Sequence, residues 1–217
     1  MDAELYDRWY DTPRGRWIGL REATMVVEHL QPRRGESLLD VGCGTGFFTR
    51  TLAASVTGRV VGVDTNPELV EYARRRHAGK VSYEVADARA LPFASGSFDL
   101  VVSIAALCFI PGEVAAVREI VRVAGRRFAI GLLNRHSILW LQKGRGAGHG
   151  GYRGAHWHTA REAKGLFGNV LTSDVSVRTA IHVPSGGRVA RFLEGILPSS
   201  LPTGGFMLVT GSPVRKP

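Results

Sequence analysis

The stretch Leu38–Thr49, LLDVGCGTGFFT, constrains this chain more than any other. Leu38, Leu39 and Val41 read as a short buried strand, interrupted by Asp40 near its end. Gly42, Gly44 and Gly46 follow at alternate positions. Phe48, Leu52 and Val56 then recur at i, i+4 and i+8, which is helical spacing. The local reading is strand, glycine-rich turn, helix. Three glycines in five residues admit positive φ and let another group approach the backbone closely.

Such a turn lies at the carboxyl end of a strand and at the positive end of the next helix, where open α/β sheets bind nucleotide-like ligands. Asp64 lies eighteen positions after Gly46 and closes a second apolar strand, Val60–Val63. An acid at about that separation suits a ribose diol. Thr65 and Asn66 extend the same corner, with Asn66 reading as a helix N-cap and Pro67 as the first helical residue. A third strand, Val81–Ala86, ends in Asp87-Ala88, and a fourth runs from Phe98 to Ser103.

The pieces at 38–49, 60–74 (VVGVDTNPELVEYAR), 84–93 (EVADARALPF) and 98–110 (FDLVVSIAALCFI) together resemble the class I S-adenosylmethionine-dependent methyltransferases, in particular their small "type 11" branch. The resemblance spans residues 35–133 and extends more weakly beyond. A nicotinamide-binding Rossmann protein is the main impostor, but its fingerprint is GxGxxG, whereas the third glycine here comes one residue early.

The resemblance implies an α/β fold: a Rossmann-like, doubly wound, seven-stranded sheet, mostly parallel with the last strand antiparallel, under an N-terminal helical lid. It implies one domain over 1–217, made of a lid segment (1–34), a cofactor core (35–133), an insert (134–161) and a C-terminal part of the sheet (162–217). S-adenosyl-L-methionine is the implied cofactor. Asp40, Gly42, Cys43, Gly44, Gly46, Asp64, Thr65, Asn66, Asp87, Ala88, Ser103 and Ile104 are its implied contacts. Asp87 would take the adenine amino group and Ala88 would offer its N–H to the ring. Ser103 and Ile104 would flank the methionine part. Asp40 would either support the ammonium or order the turn. Asp99 reads as a structural acid.

Aromatic residues concentrate near the start, in YDRWYDTPRGRW, followed by a helix expected over about Gly15–His29. Tyr6 and Tyr10 are expected to close over the site as a lid; the alternative is a helix packing its rings on the sheet edge. Trp17 is expected in the core or as a cofactor wall. Val114, Val117 and Val121 mark one face of a later helix. Asn134 is expected to cap a short helix through Leu141. Further on, Thr159 should cap a helix to Phe167, and strands are expected at Val170–Val183 and Phe206–Thr210 around a helix near Arg188–Leu197.

The formal net charge is +9, which favours anionic partners but says nothing of fold. From Ile120 to Arg161 there is no acidic residue, while Lys and Arg total eight. The glycine-rich part, Gly144–Gly154, reads as mobile. It suits either a substrate with carboxylate, phosphate or phenolate character or a plain solvated loop. Nucleic acid is a less favoured partner, because no RNA-binding module accompanies the run. His136, His149, His156 and His158 match no standard metal spacing and carry no neighbouring carboxylate, so no metal is expected. Cys43 and Cys108 suggest neither a metal site nor a disulfide, and Cys43 is not expected to be a nucleophile. No apolar run reaches the length of a membrane span, and the acidic, aromatic start does not read as a signal peptide, so the cytoplasm is the expected compartment. Oligomeric state is not legible.

The implied reaction is in-line methyl transfer to a small-molecule acceptor, with His136 as the candidate base and acceptor contact beside Tyr6, Tyr10 and Trp17. A macromolecular acceptor, RNA or protein, and a non-catalytic cofactor-binding subunit are the alternatives.

Overall fold

A computed structural model describes residues 2–76, 79 and 81–214. Its elements in chain order are α1 (Ala3–Asp11), α2 (Pro13–Leu30), β1 (Leu38–Val41), α3 (Phe47–Ala53), β2 (Val60–Asp64), α4 (Pro67–Arg76), β3 (Val81–Val85), β4 (Phe98–Ile104), α5 (Glu113–Val123), β5 (Ala124–Leu133), α6 (Ile138–Lys143), α7 (Ala160–Gly165), β6 (Thr172–Ala180), α8 (Arg188–Ile196) and β7 (Phe206–Pro213). Short 3-10 turns occupy Leu107–Phe109 and Gly150–Tyr152.

The strands form one sheet in the order β3-β2-β1-β4-β5-β7-β6. Pairing is parallel from β3 through to β5. β7 runs antiparallel to both β5 and β6 and lies between them. The expected seven-stranded, mostly parallel sheet is therefore present. The order reverses at β1, so the glycine turn leaves the sheet at its topological switch point.

Both faces are covered, which is why the central strands carry near-continuous apolar runs. Leu39, Val41, Val61, Val63 and Val101 pack on one side with Ala116, Val117 and Ile120 of α5. Leu38, Val60, Leu100 and Val102 pack on the other with Met25, Val26 and Leu30 of α2 and with Phe48 and Leu52 of α3. Burying each of these large side chains is worth about 1.5–3 kcal/mol.

The N-terminal region holds two helices rather than one. Thr12 and Pro13 divide them: the Thr12 hydroxyl accepts from the Gly15 N–H at 3.0 Å, and Pro13 starts α2 where its missing N–H costs nothing. Asp2 caps α1 through the N–H groups of Glu4 and Leu5. α2 ends at Gln31, which is left-handed just before Pro32.

Several local expectations shift. α3 stops at Ala53, so Val56 is buried from the following turn rather than from the helix. Val114 is 41% exposed; the inward face of α5 is Ala116, Val117, Ile120 and Val121. Arg126 and Arg127 lie within β5. Ser137, not Asn134, caps α6, by accepting from the Trp140 N–H at 3.1 Å. The Asn134 amide is committed elsewhere, donating to the carbonyls of Pro202 and Gly204. The insert is folded back on itself, with Gly154 N–H on the Ala147 carbonyl and the Tyr152 ring 5.5 Å from Trp157. Thr159 caps α7 in a reciprocal arrangement with Glu162. No helix among the described residues is long and apolar enough to cross a membrane.

Candidate functional site

The glycine turn needs its glycines for different reasons. Gly42, Gly44 and Gly46 have φ of +78°, +53° and +82°, a region costly for any residue with a Cβ. A Cβ on Gly42 would lie 2.3 Å from the Ala106 Cβ, and one on Gly46 would lie 2.6 Å from the Tyr83 hydroxyl. Gly44 faces open space, with nothing within 4 Å of where its Cβ would be. The outer two glycines seat the turn against the fold, and the middle one presents bare backbone outward. The N–H groups of Gly42 and Cys43 both donate to the Val63 carbonyl, tying the turn to β2.

Two carboxylates converge beneath it. Asp64 ends β2; its Oδ2 accepts from the Gly44 N–H at 2.9 Å and its Oδ1 from the Asn66 N–H at 3.0 Å. Asp40, in β1, is buried and accepts from the Thr49 hydroxyl at 2.6 Å. Burial pushes the Asp40 carboxyl up to about 7, with the Thr49 bond opposing and the Asp64 charge adding to the rise. Of the two readings of Asp40, the Thr49 bond favours ordering of the turn onto α3.

Asn66 caps α4 through the Glu68 N–H at 2.9 Å, while Thr65 is exposed beside it. Asp87 stands at the next strand end, but Arg89 grips it, with Nε 3.0 Å from Oδ1 and a second guanidinium nitrogen 2.7 Å from Oδ2. That pairing holds the Asp87 carboxyl below the usual range. Ala88 is buried. Ser103 is fully buried with its hydroxyl unpartnered, and Ile104 is 6% exposed. What the end of β4 offers to solvent is the half-buried pair Ala105 and Ala106, with Ala105 at φ +53°. Cys43 is buried in apolar surroundings that push its thiol far above the usual range, where it is no nucleophile.

α1 lies across the turn. Asp7, 4% exposed, accepts from the Thr45 hydroxyl at 2.9 Å and from Arg50 at 3.2 Å, and takes Arg76 at 3.3 Å on its other oxygen. Tyr10 is buried and stacks on Phe47, the first residue of α3, at 3.7 Å between centroids. The Tyr6 hydroxyl faces that of Tyr10 at 3.5 Å. Trp17 goes elsewhere, against Gly186 and 5.8 Å beneath the Arg191 guanidinium. It packs both on the segment leading into α8 and against the core cluster that holds Tyr10 and Phe48.

Sequence reasoning missed Glu22 of α2. Burial pushes its carboxyl up to about 8, and no hydrogen bond to it is made among the described residues. Its charge acts on the hydroxyls of Tyr6, Tyr10 and Tyr152, all of which burial raises first. Residues of α1 and of the insert thus feel the charge of one carboxylate on α2. Nothing in the helical pattern of α2 marks it, because its surroundings come from segments far apart in sequence. His136, by contrast, is exposed, and only its backbone is engaged, on Asn134 Oδ1 at 2.9 Å.

The basic run does not form a continuous free patch. Arg122, Arg126 and Arg135 pair with Glu119, Glu36 and Glu162. Two of the four insert histidines do acquire a carboxylate: His156 and His158 both face Glu113 at the start of α5. Beside them lies an open hollow of about 640 Å³, lined by residues 108–115 with Arg118, Gly154 and His156. It contains none of the residues expected at the cofactor site.

Residues 39–126 match the methyltransferase domain family, over the part of the fold that holds the glycine turn and three strand ends. Over that stretch the chain is similar to a methyltransferase domain. An uncharacterized protein of Mycobacterium tuberculosis is 33% identical to it over 195 residues, covering 85% of this chain and 63% of that protein. An O-methyltransferase of Penicillium expansum is 37% identical over 111 residues, covering 49% of this chain and 40% of that enzyme. The chain thus spans less than two thirds of the curated relatives it matches. The likeness in fold extends further than the sequence match. A Thermotoga maritima structure described as a SAM-dependent methyltransferase, possible histamine N-methyltransferase, superposes with a TM-score of 0.75 at 20% identity, covering 97% of this chain and 96% of that one.

Proposed function

We propose that the chain is an S-adenosylmethionine-dependent methyltransferase whose acceptor is a small molecule carrying an ionisable hydroxyl. One observation carries the reading: the Gly44 backbone is bare toward solvent and is bonded to Asp64 at the adjoining strand end. A turn without side chains admits a ligand to the main chain, and a strand-end carboxylate supplies two acceptor oxygens for a diol. The residues therefore fit the cofactor. Gly42, Cys43, Gly44 and Gly46 would line its methionine and sulfur side through the backbone, and Asp64, Thr65 and Asn66 its ribose. Asp87 and Ala88 would meet the adenine once Arg89 moves aside. Bound there, S-adenosylmethionine supplies a methyl carbon made electrophilic by its sulfonium.

The chain's own contribution is placement, which can supply on the order of 7–11 kcal/mol of such a barrier. Asp7 and Tyr10 seat α1 over the turn and exclude water. Glu22, once ionised, takes the acceptor's proton at a carboxylate oxygen, and the surrounding tyrosine hydroxyls orient the acceptor oxygen. An exposed His136 is the weaker base, since nothing orients its ring. Lys143, Arg145 and Arg153 leave the insert suited to an anionic acceptor.

Calorimetry with S-adenosylhomocysteine tests the cofactor half. The expected result is saturable binding that is lost in Asp64→Asn. Heat from a nicotinamide dinucleotide in its place overturns the reading. Incubation with methyl-labelled cofactor and cell extract tests the acceptor half, and the label is expected in a low-molecular-weight product. Label in RNA or protein makes the acceptor macromolecular. Tight binding without any transfer makes the chain a non-catalytic cofactor-binding subunit.

A further inference from the structure

We propose that Glu113, His156 and His158 form a binding site for one divalent transition-metal ion of the zinc class, which clasps the insert to the start of α5. The ligand atoms come from two segments that are remote in sequence. One carboxylate oxygen of Glu113 lies 2.9 Å from His156 Nδ1, and the other lies 3.0 Å from His158 Nε2. One donor atom from each of the three residues falls within 4.8 Å of the others. The imidazole rings stand 4.2 Å apart, tilted by 41°. Two imidazoles and a carboxylate are a donor set that zinc and its neighbours take, with further positions left to water or substrate.

The backbone holds these residues in place independently of any ion. His158 donates its N–H to the Leu133 carbonyl, and its own carbonyl accepts from Arg135. It therefore forms a parallel bridge beside Asn134, just past the end of β5. His156 donates its N–H to the Cys108 carbonyl at 2.7 Å, which draws the end of the insert onto the turn after β4. Glu113 is fixed as the first residue of α5, just after a left-handed Gly112. The site is thus assembled by folding rather than by the ion, and such preorganisation favours binding.

Burial grades across the cluster. The side chain of His158 is 1% exposed, Glu113 12% and His156 55%. His158 also keeps a buried Nδ1 without a partner. That atom lies on the ring edge away from Glu113, so an ion on Nε2 leaves it unpartnered as well. On the opposite side, Glu113 and His156 both line the 640 Å³ hollow, which gives an ion a path in and leaves room for water or an anionic group on it. Arg118 stands on the same rim, so a small anion would meet positive charge there. Two neutral imidazoles and one carboxylate carry a charge of −1, which a divalent ion reverses.

The proposal rests on these three residues alone and does not depend on methyl transfer. The test uses the untagged full chain, stripped with a chelator, and titrates it with Co²⁺ as the spectroscopic probe and with Zn²⁺ by calorimetry. Expected are visible Co²⁺ ligand-field bands that saturate at one equivalent, and Zn²⁺ binding that displaces them. His156→Ala and Glu113→Gln, each checked for native circular dichroism, should weaken Zn²⁺ binding by more than about tenfold. His156 is exposed, so its truncation leaves the fold intact even if changing His158 does not. Absence of saturable binding overturns the proposal, as does equal affinity in the wild type and in either variant.

Discussion

The hydroxyl of Thr45, in the glycine turn, donates to the Asp7 carboxylate of α1 at 2.9 Å. This bond links the helix that covers the site to the backbone expected to hold the cofactor. Asp7 also gathers Arg50 and Arg76 while itself buried. Removing the acid from such a cluster leaves cations without their partner, a change that costs roughly 3–5 kcal/mol at a fully buried pair. Asp7→Ala is therefore expected to undock α1. Hydrogen exchange should show loss of protection confined to residues 3–11 in the variant, and cofactor affinity should fall with it. Unchanged protection would mean that the Tyr10–Phe47 stack alone holds the helix.

Gly42 and Gly44 share positive φ but differ in surroundings, so alanine separates two roles. Left-handed backbone in a residue with a Cβ costs of order 1–3 kcal/mol. At Gly42 the added carbon also meets Ala106 at 2.3 Å. Gly42→Ala is expected to lower Tm by about 6 °C or more, at roughly 2–4 °C per kcal/mol for a chain of this size. Gly44→Ala meets nothing, so its melt should shift less while its binding of S-adenosylhomocysteine is lost. Thermal melts with and without ligand check both.

Glu22 sets an expected pH dependence. Its carboxyl stands at about 8 in the folded chain against an ordinary 4.5. As pH rises, the unfolded chain ionises first, so the folded chain binds the extra proton between those values. The stabilising contribution is full below about pH 4.5 and falls by up to about 1.4 kcal/mol per pH unit toward pH 8, then levels off. Glu22→Gln should remove that fall, measured as the difference between wild-type and variant denaturation midpoints across the range. As a base, Glu22 must be ionised, so kcat/KM should rise along a limb centred near pH 8 and the variant should lose that limb.

Arg89 holds the Asp87 carboxylate in two places while both side chains remain largely in water. An adenine amino group must displace it to reach the same oxygens. Exposed ion pairs of this kind are weak, so Arg89→Ala should tighten cofactor binding modestly, by about two- to fivefold. A weaker complex would mean that the guanidinium itself touches the ligand. Titration calorimetry at two salt concentrations distinguishes these outcomes, because the gain should shrink as salt screens the pair.

The sheet and the glycine turn were legible because each is written in contiguous residues. Apolar runs such as Val60–Val63 read as buried strands, and Gly42, Gly44 and Gly46 at alternate positions read as a tight turn. Caps were readable where the signal was strong, as at Asn66-Pro67 and Thr159. Asn134 misled, since its amide satisfies carbonyls some seventy residues away, and a cap signal cannot exclude a distant partner. Val114 misled because helical spacing fixes a face but not which face turns inward. Glu22 and the Glu113 cluster stayed hidden for one shared reason. Their chemistry comes from side chains brought together by tertiary folding, and neither α2 nor the insert carries it alone. Asp87 was placed at the correct strand end, but its engagement by Arg89 depends on a side-chain conformation that spacing does not encode.

β7 carries a consequence for biogenesis. It threads between β5 and β6 and is hydrogen-bonded to both, yet it is made after them. Until residues 206–213 leave the ribosome, β5 presents an unpaired apolar edge and β6 has no place in the sheet. A nascent chain stalled in that interval would expose a template for joining another copy strand to strand. The middle position of β7 in the antiparallel part thus makes the last strand synthesised the one that closes the sheet.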